Sequence, residues 1–174
     1  MNWVPLKNDI IRFATGHPQI NSIGFGDPLA IGTDNVINIR TPDRDRIMFP
    51  LLFADLQSST IGMGTSTLNC SILIMDQVRD SKQINNYDTP AIEVTGLLAN
   101  RWNDVEDEIL NDMESIFLDF ISHFTDNPDI EYSMNTNITI NRFIEGRDDK
   151  LAGWQGTLVF VFPFGRNVCQ IPTI

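Results

Sequence analysis

Residues 94–124 read VTGLLANRWNDVEDEILNDMESIFLDFISHF. Within this stretch Val94, Leu98, Trp102, Val105, Ile109, Met113, Ile116, Phe120 and Phe124 recur at steps of three or four. On a helix of 3.6 residues per turn that spacing lays down one apolar stripe. It predicts a single long amphipathic helix, or two in succession. Thr89 is a suitable cap with Pro90 in the first turn. Gly96 and Asn100 weaken the opening turns, and Asp126-Asn127-Pro128 ends the pattern. A stripe this wide must be covered, and the segments on either side supply the cover as strands.

On the N-terminal side, Leu6, Ile10 and Phe13 share a face of a short predicted helix, Pro5 to Ala14, closed by Gly16-His17-Pro18. Ile20 to Arg40 then breaks into short apolar runs separated by Asp27-Pro28 and Thr33-Asp34-Asn35, which read as short strands. Ile47 to Leu56 is strongly apolar, and Pro50 within it points to an edge or bent strand. Gln57 to Ser66 is polar and contains two glycines, so it reads as a long hairpin loop leading into a strand from Thr67 to Val78. In that strand Leu68, Cys70, Ile72 and Ile74 alternate with Asn69, Ser71, Leu73 and Met75, which places Cys70 in the core. Arg79 to Thr89 is a polar linker. Beyond the long helix, Ile130 to Phe143 and Gly153 to Phe162 are two more predicted strands, joined by a charged turn, Glu145 to Lys150. The last strand carries Trp154, Leu158, Phe160 and Phe162 on one face and Val159 and Val161 on the other, a pattern expected of burial on much of both sides. The expected architecture is α+β in one domain spanning residues 1–174: an antiparallel sheet with a long hairpin, packed against one long amphipathic helix and a short N-terminal helix.

Charge narrows the function classes. Twelve Lys and Arg stand against 23 Asp and Glu, for a net charge of -11. That balance argues against extended contact with phosphate backbones or anionic lipid. No apolar run approaches the ~20 residues a bilayer span needs. The start, MNWVPLKND, shows no basic region followed by an apolar stretch, so no signal peptide and an intracellular setting are expected. In that setting Asn69-Cys-Ser and Asn137-Ile-Thr carry little weight as glycosylation patterns.

No catalytic constellation emerges. The two histidines, His17 and His123, and two cysteines, Cys70 and Cys169, have no metal-ligand spacing. A thiol in a buried strand is inert packing. Asp126-Asn-Pro-Asp129-Ile-Glu131 opens like a calcium loop but lacks the glycine at position six and the glutamate at position twelve, so it reads as a turn. Gly62-Met-Gly64-Thr-Ser-Thr67 lacks the lysine and following helix of a phosphate cradle. The expectation is therefore no enzymatic activity, no metal and no cofactor. Two features ask for another reason. One is the acidic run on the long helix, where Asp104, Glu108, Asp112 and Asp119 make a face that repels phosphates and lets a duplex pass without adhering. The other is the hairpin tip Ile61, Gly62, Met63, Gly64 and Thr65, whose two apolar side chains suit contact with a neighbour.

The order of elements ends in Gly153-Trp154-Gln155-Gly156 through Phe162-Pro-Phe and Cys169-Gln-Ile-Pro172. In this it resembles the tail-terminator and tail-completion family of tailed bacteriophages and the related neck and tail ring proteins, including those of crAss-like phages. The resemblance implies an antiparallel sheet flanked by helices and rings of six or twelve copies. It also implies neighbours among portal, neck and tail ring proteins, and a lumen that genome DNA passes without specific binding. Such a protein is assembled in the host cytoplasm and resides in the virion, with no membrane partner and no catalytic residues to carry over. The competing expectations are a small ligand-binding or hydrolase α+β domain, marked by a deep pocket with convergent polar groups, and an acidic decoy that mimics DNA, marked by carboxylates spread over several faces.

Overall fold

The computed structural model of the chain describes residues 3–42, 44–78, 101–135, 137–145 and 151–163, with the backbone alone at 101–107 and 144–145. In chain order the elements are helix α1 (Trp3–Gly16), strand β1 (Ser22–Phe25), a 3-10 turn (Pro28–Ala30), β2 (Val36–Asn38), β3 (Leu51–Ile61), β4 (Thr65–Gln77), helix α2 (Arg101–Asp126), β5 (Ser133–Met134), β6 (Ile140–Glu145) and β7 (Leu151–Pro163). The strands form one sheet in the order β2-β1-β3-β4-β7-β5, with β6 also on β7. The fold is α+β and mostly antiparallel. The β1–β3 pair is parallel, Ser22 opposite Leu51 through Phe25 opposite Ala54.

Both helices cover the same face of the sheet. The α1 stripe Leu6, Ile10, Phe13 and Ala14 is buried, as its spacing predicts. On α2 the buried side chains are Leu110, Met113, Ile116, Phe117, Phe120 and Phe124. The stripe is thus wider than the sequence reading, which left out Leu110 and Phe117, while Ile109 is only half-buried. Opposite it stand Leu52 and Ala54 of β3, Leu68, Cys70, Ile72 and Ile74 of β4, and Leu158, Phe160 and Phe162 of β7. The Phe117 ring lies directly over Gly156 of β7, where a Cβ would stand 2.8 Å from its Cζ. A glycine there lets the helix close on the strand. Trp154 also ties the two elements, donating from Nε1 to the Leu110 carbonyl at 2.8 Å. Among the described residues the other face is covered at one end, where Leu51, Phe53, Leu73 and Met75 pack under Ile31, Val36, Ile47 and Phe49.

Four sequence expectations are corrected. β3 is an interior strand at Leu51–Ala54, with β1 on one side and β4 on the other, not an edge strand. Pro50 precedes the strand, so its missing N–H interrupts no ladder, and its carbonyl accepts from the Asn21 and Ser22 amides. Gln57 to Ser66 is not a long loop: β3 runs through Ile61 and β4 starts at Thr65, leaving only Gly62, Met63 and Gly64 outside the strands. Its residues through Thr65 are all exposed, so no burial pattern betrayed the strand. A bulge between Leu56 and Ser58 marks where the buried part of β3 gives way to this exposed part. The predicted strand Ile130 to Phe143 is two short strands, both paired to β7. Finally, β7 is buried on its helix-facing side, but on the other Thr157 is exposed and Val159 and Val161 are half-buried.

Val94, Leu98, the linker Arg79 to Thr89, Pro90 and the Cys169-Gln-Ile-Pro172 ending lie outside the described residues. In Trp102, Asp104 and Val105 only the helical backbone is described.

Candidate functional site

The tip is a corner of the sheet. Ile61 pairs with Ser66 across the hairpin, and Thr65 pairs with Pro163 of β7, so three strands run together to this point. The Gly62 amide donates to the Thr65 carbonyl at 2.8 Å and closes the turn. Gly64, third of the four turn residues, has φ +84°, the sign that a type II turn demands at that place and that L side chains avoid. The turn holds Met63 out fully, at 104% relative exposure, with Ile61 beside it at 76%. The five residues Ile61 to Thr65 are therefore brought together as one exposed knob on a three-stranded base.

The acidic face is a ridge. Glu108, Asp112 and Asp119 are exposed and follow i, i+4, i+11 spacing on the side of α2 opposite its buried stripe. Asp104, one turn before Glu108, continues the spacing along the helical backbone. Asp119 is not a free carboxylate. It lies 3.2 Å from Nε2 of the largely buried His17 ring, whose Nδ1 accepts from the Gln19 amide, so Nε2 carries the proton toward Asp119. The α1–α2 junction is fixed further by Tyr132, which donates to Asp9 Oδ2 at 2.8 Å while Asp9 Oδ1 holds Arg12 at 3.2 Å. Burial, then this bond to the Asp9 carboxylate, pushes the Tyr132 phenol pKa up. Burial lowers the pKa of His123, against the opposing pull of Asp9.

Cys70 sits on the helix-facing side of β4 in the core, as its alternation predicts. Burial, with Asp55 nearby, pushes its thiol up to about 12, so at neutral pH it is a protonated packing group and not a nucleophile.

One surface was missed by the sequence reading. At the β2 end of the sheet, the segment after β2 folds over a cavity of about 290 Å³ lined by Val36, Ile37, Pro42, Arg44, Arg46 and Ile47, among others. Asn38 builds its wall: Nδ2 donates to the Arg44 and Arg46 carbonyls at 2.9 and 2.8 Å, and Oδ1 accepts from the Met48 amide and the Ser22 hydroxyl. Arg40 donates to the His17 carbonyl at 2.8 Å. The legible signal was Arg40-Thr-Pro-Asp-Arg44-Asp-Arg46, three arginines in a chain poor in cations.

No helix among the described residues is long and apolar enough to cross a membrane. No family model matches the sequence, and no curated protein matches it.

Proposed function

We propose that this chain is a non-enzymatic structural subunit of a neck or tail ring of a tailed bacteriophage, of the tail-terminator or tail-completion kind. Six or twelve copies surround a lumen that DNA traverses, beside portal, neck or tail neighbours. The phage assignment rests on the resemblance in element order. The observation that carries the assembly role is the sheet corner, because a wholly exposed methionine and a nearly bare isoleucine on a closed turn are anchors with no partner among the described residues. The acidic ridge supports the lumen role, since a row of carboxylates along one helix face repels phosphate. The closed thiol of Cys70 removes the most plausible nucleophile from the strands. Native mass spectrometry with negative-stain micrographs of the purified chain tests the reading. A closed ring of six or twelve supports it, and a monomer at all concentrations refutes it.

A further inference from the structure

A ring closed by rotation needs two different surfaces on each copy, one to give and one to receive. The tip is the first. We infer that the cavity at the β2 end of the sheet is the second, and that Met63, with Ile61 beside it, seats there on the next copy. This rests on the ring reading above and names its contact.

Placement is the first support. β2 lies level with the start of β3, since Gly24 pairs with both Val36 and Phe53, and the tip lies eight residues further along β3 at Ile61. At ~3.3 Å per strand residue, knob and hole are separated by roughly 25 Å along the same strand. Copies joined this way meet head to tail, the heterologous geometry that a ring uses when the rotation between copies closes.

Fit is the second. The cavity, about 290 Å³, has room for a side chain such as methionine. Its apolar lining comes from Val36, Ile37, Pro42 and Ile47. Ile37 is itself 66% exposed, a second bare apolar group that the same contact would cover. The wall does not need to form on binding, because Asn38 already pins Arg44 and Arg46 by their carbonyls.

Charge is the third. Two copies at -11 each repel, so they can close only where acid is absent or offset. From Gln57 to Met75, the whole tip and its flanks, there is no charged side chain. Arg40 to Arg46 carries three arginines against two aspartates. The Arg44 and Arg46 guanidinium groups form no ion pair among the described residues, which leaves them to meet the carbonyls of the Gly62–Gly64 turn.

The test is a mixed cross-link. In a Cys169→Ser background, one preparation carries Met63→Cys and another Ile37→Cys. Both positions are exposed, so folding is checked simply by circular dichroism. Oxidation of the mixture should give a covalent dimer that neither variant forms alone. Met63→Asp should weaken self-association about 30-fold or more, the size expected of a central anchor. Wild-type rings combined with no mixed cross-link and an unaffected Met63→Asp overturn this contact and leave the ring reading intact. A Met63→Cys chain that cross-links with itself shows tip-to-tip pairing and also overturns it. So does a Met63→Asp chain that closes rings normally but fails to enter particles, which gives the tip to a different protein. A wild-type chain that never self-associates removes both readings.

Discussion

Replacing Phe120 by alanine tests the packing that joins both helices to the sheet. The side chain is 0% exposed. Its ring meets Phe13 of α1 edge-on at 5.1 Å and 84°, and Phe124 at 4.6 Å. A buried phenylalanine removes ~150–250 Å² from water, which at ~25 cal/mol/Å² is about 4–6 kcal/mol as an upper bound. Core Phe→Ala changes cost about 3–5 kcal/mol, within that bound. Phe120→Ala should therefore lower the stability by about 3–5 kcal/mol in urea unfolding at constant m-value, a large part of the total for a domain this size. Leu118→Ala, two residues away but 55% exposed, is the matched control and should stay within about 0.5 kcal/mol. A double-mutant cycle with Phe13→Ala should show a coupling of about 0.5–1.5 kcal/mol from the edge-on pair. A loss under about 1 kcal/mol at Phe120, or an equal loss at Leu118, would refute the assignment of the α2 buried face.

The tip and core make further claims. Gly64→Ala places a Cβ at φ +84° and should destabilise by about 1–2 kcal/mol, measured by thermal unfolding, although nothing lies within 4 Å to clash. Cys70 should resist a thiol reagent at pH 8 in the native protein and react on unfolding. Because its folded pKa is raised from 9.0 to about 12, the folded chain holds a proton that the unfolded chain releases. Its contribution to stability is thus complete below pH 9 and lost as the pH rises from 9 to 12, a decline that Cys70→Ala should shrink in alkaline unfolding curves. Changing Asp104, Glu108 and Asp112 together to lysine, leaving Asp119 on His17, should permit particle assembly but slow genome ejection at low salt, with recovery at high salt. Ejection matching wild type at both salt concentrations, or particles that do not assemble, would count against a lumen role for the ridge.

Much of the fold was legible because burial leaves a period in the sequence. Leu6, Ile10 and Phe13 marked α1, and Met113, Ile116, Phe120 and Phe124 marked α2, at 3.6-residue spacing. Leu68, Cys70, Ile72 and Ile74 marked β4 by alternation. What burial does not shape was not legible. Gln57 to Ile61 is strand by backbone pairing alone, with every side chain exposed, so its Ser and Thr residues read as loop. Phe117 was missed because the stripe was traced one side chain per turn, whereas Gly156 opens space for an aromatic ring beside Ile116. Of the candidate site, the tip and the ridge were visible as composition. The cavity at the β2 end was not, since it depends on Asn38 folding a charged segment back on itself, a hydrogen-bond pattern with no periodic trace.

β7 pairs with β4, β5 and β6 and floors α2, and every one of these partners precedes it in the chain. During synthesis the strand that pairs with three others is therefore the last to appear. Until residues 151–163 emerge, β4 has a bare edge, β5 and β6 have nothing to lie against, and the aromatic stripe of α2 has only part of its floor. The corner that carries Met63 is braced last of all, when Pro163 comes to rest opposite Thr65. Nascent chains consequently expose their stickiest surface early and complete the corner at Met63 late. A chain cut short before residue 151 keeps that surface uncovered, so the position of one strand in the sequence acts as a check on what is folded.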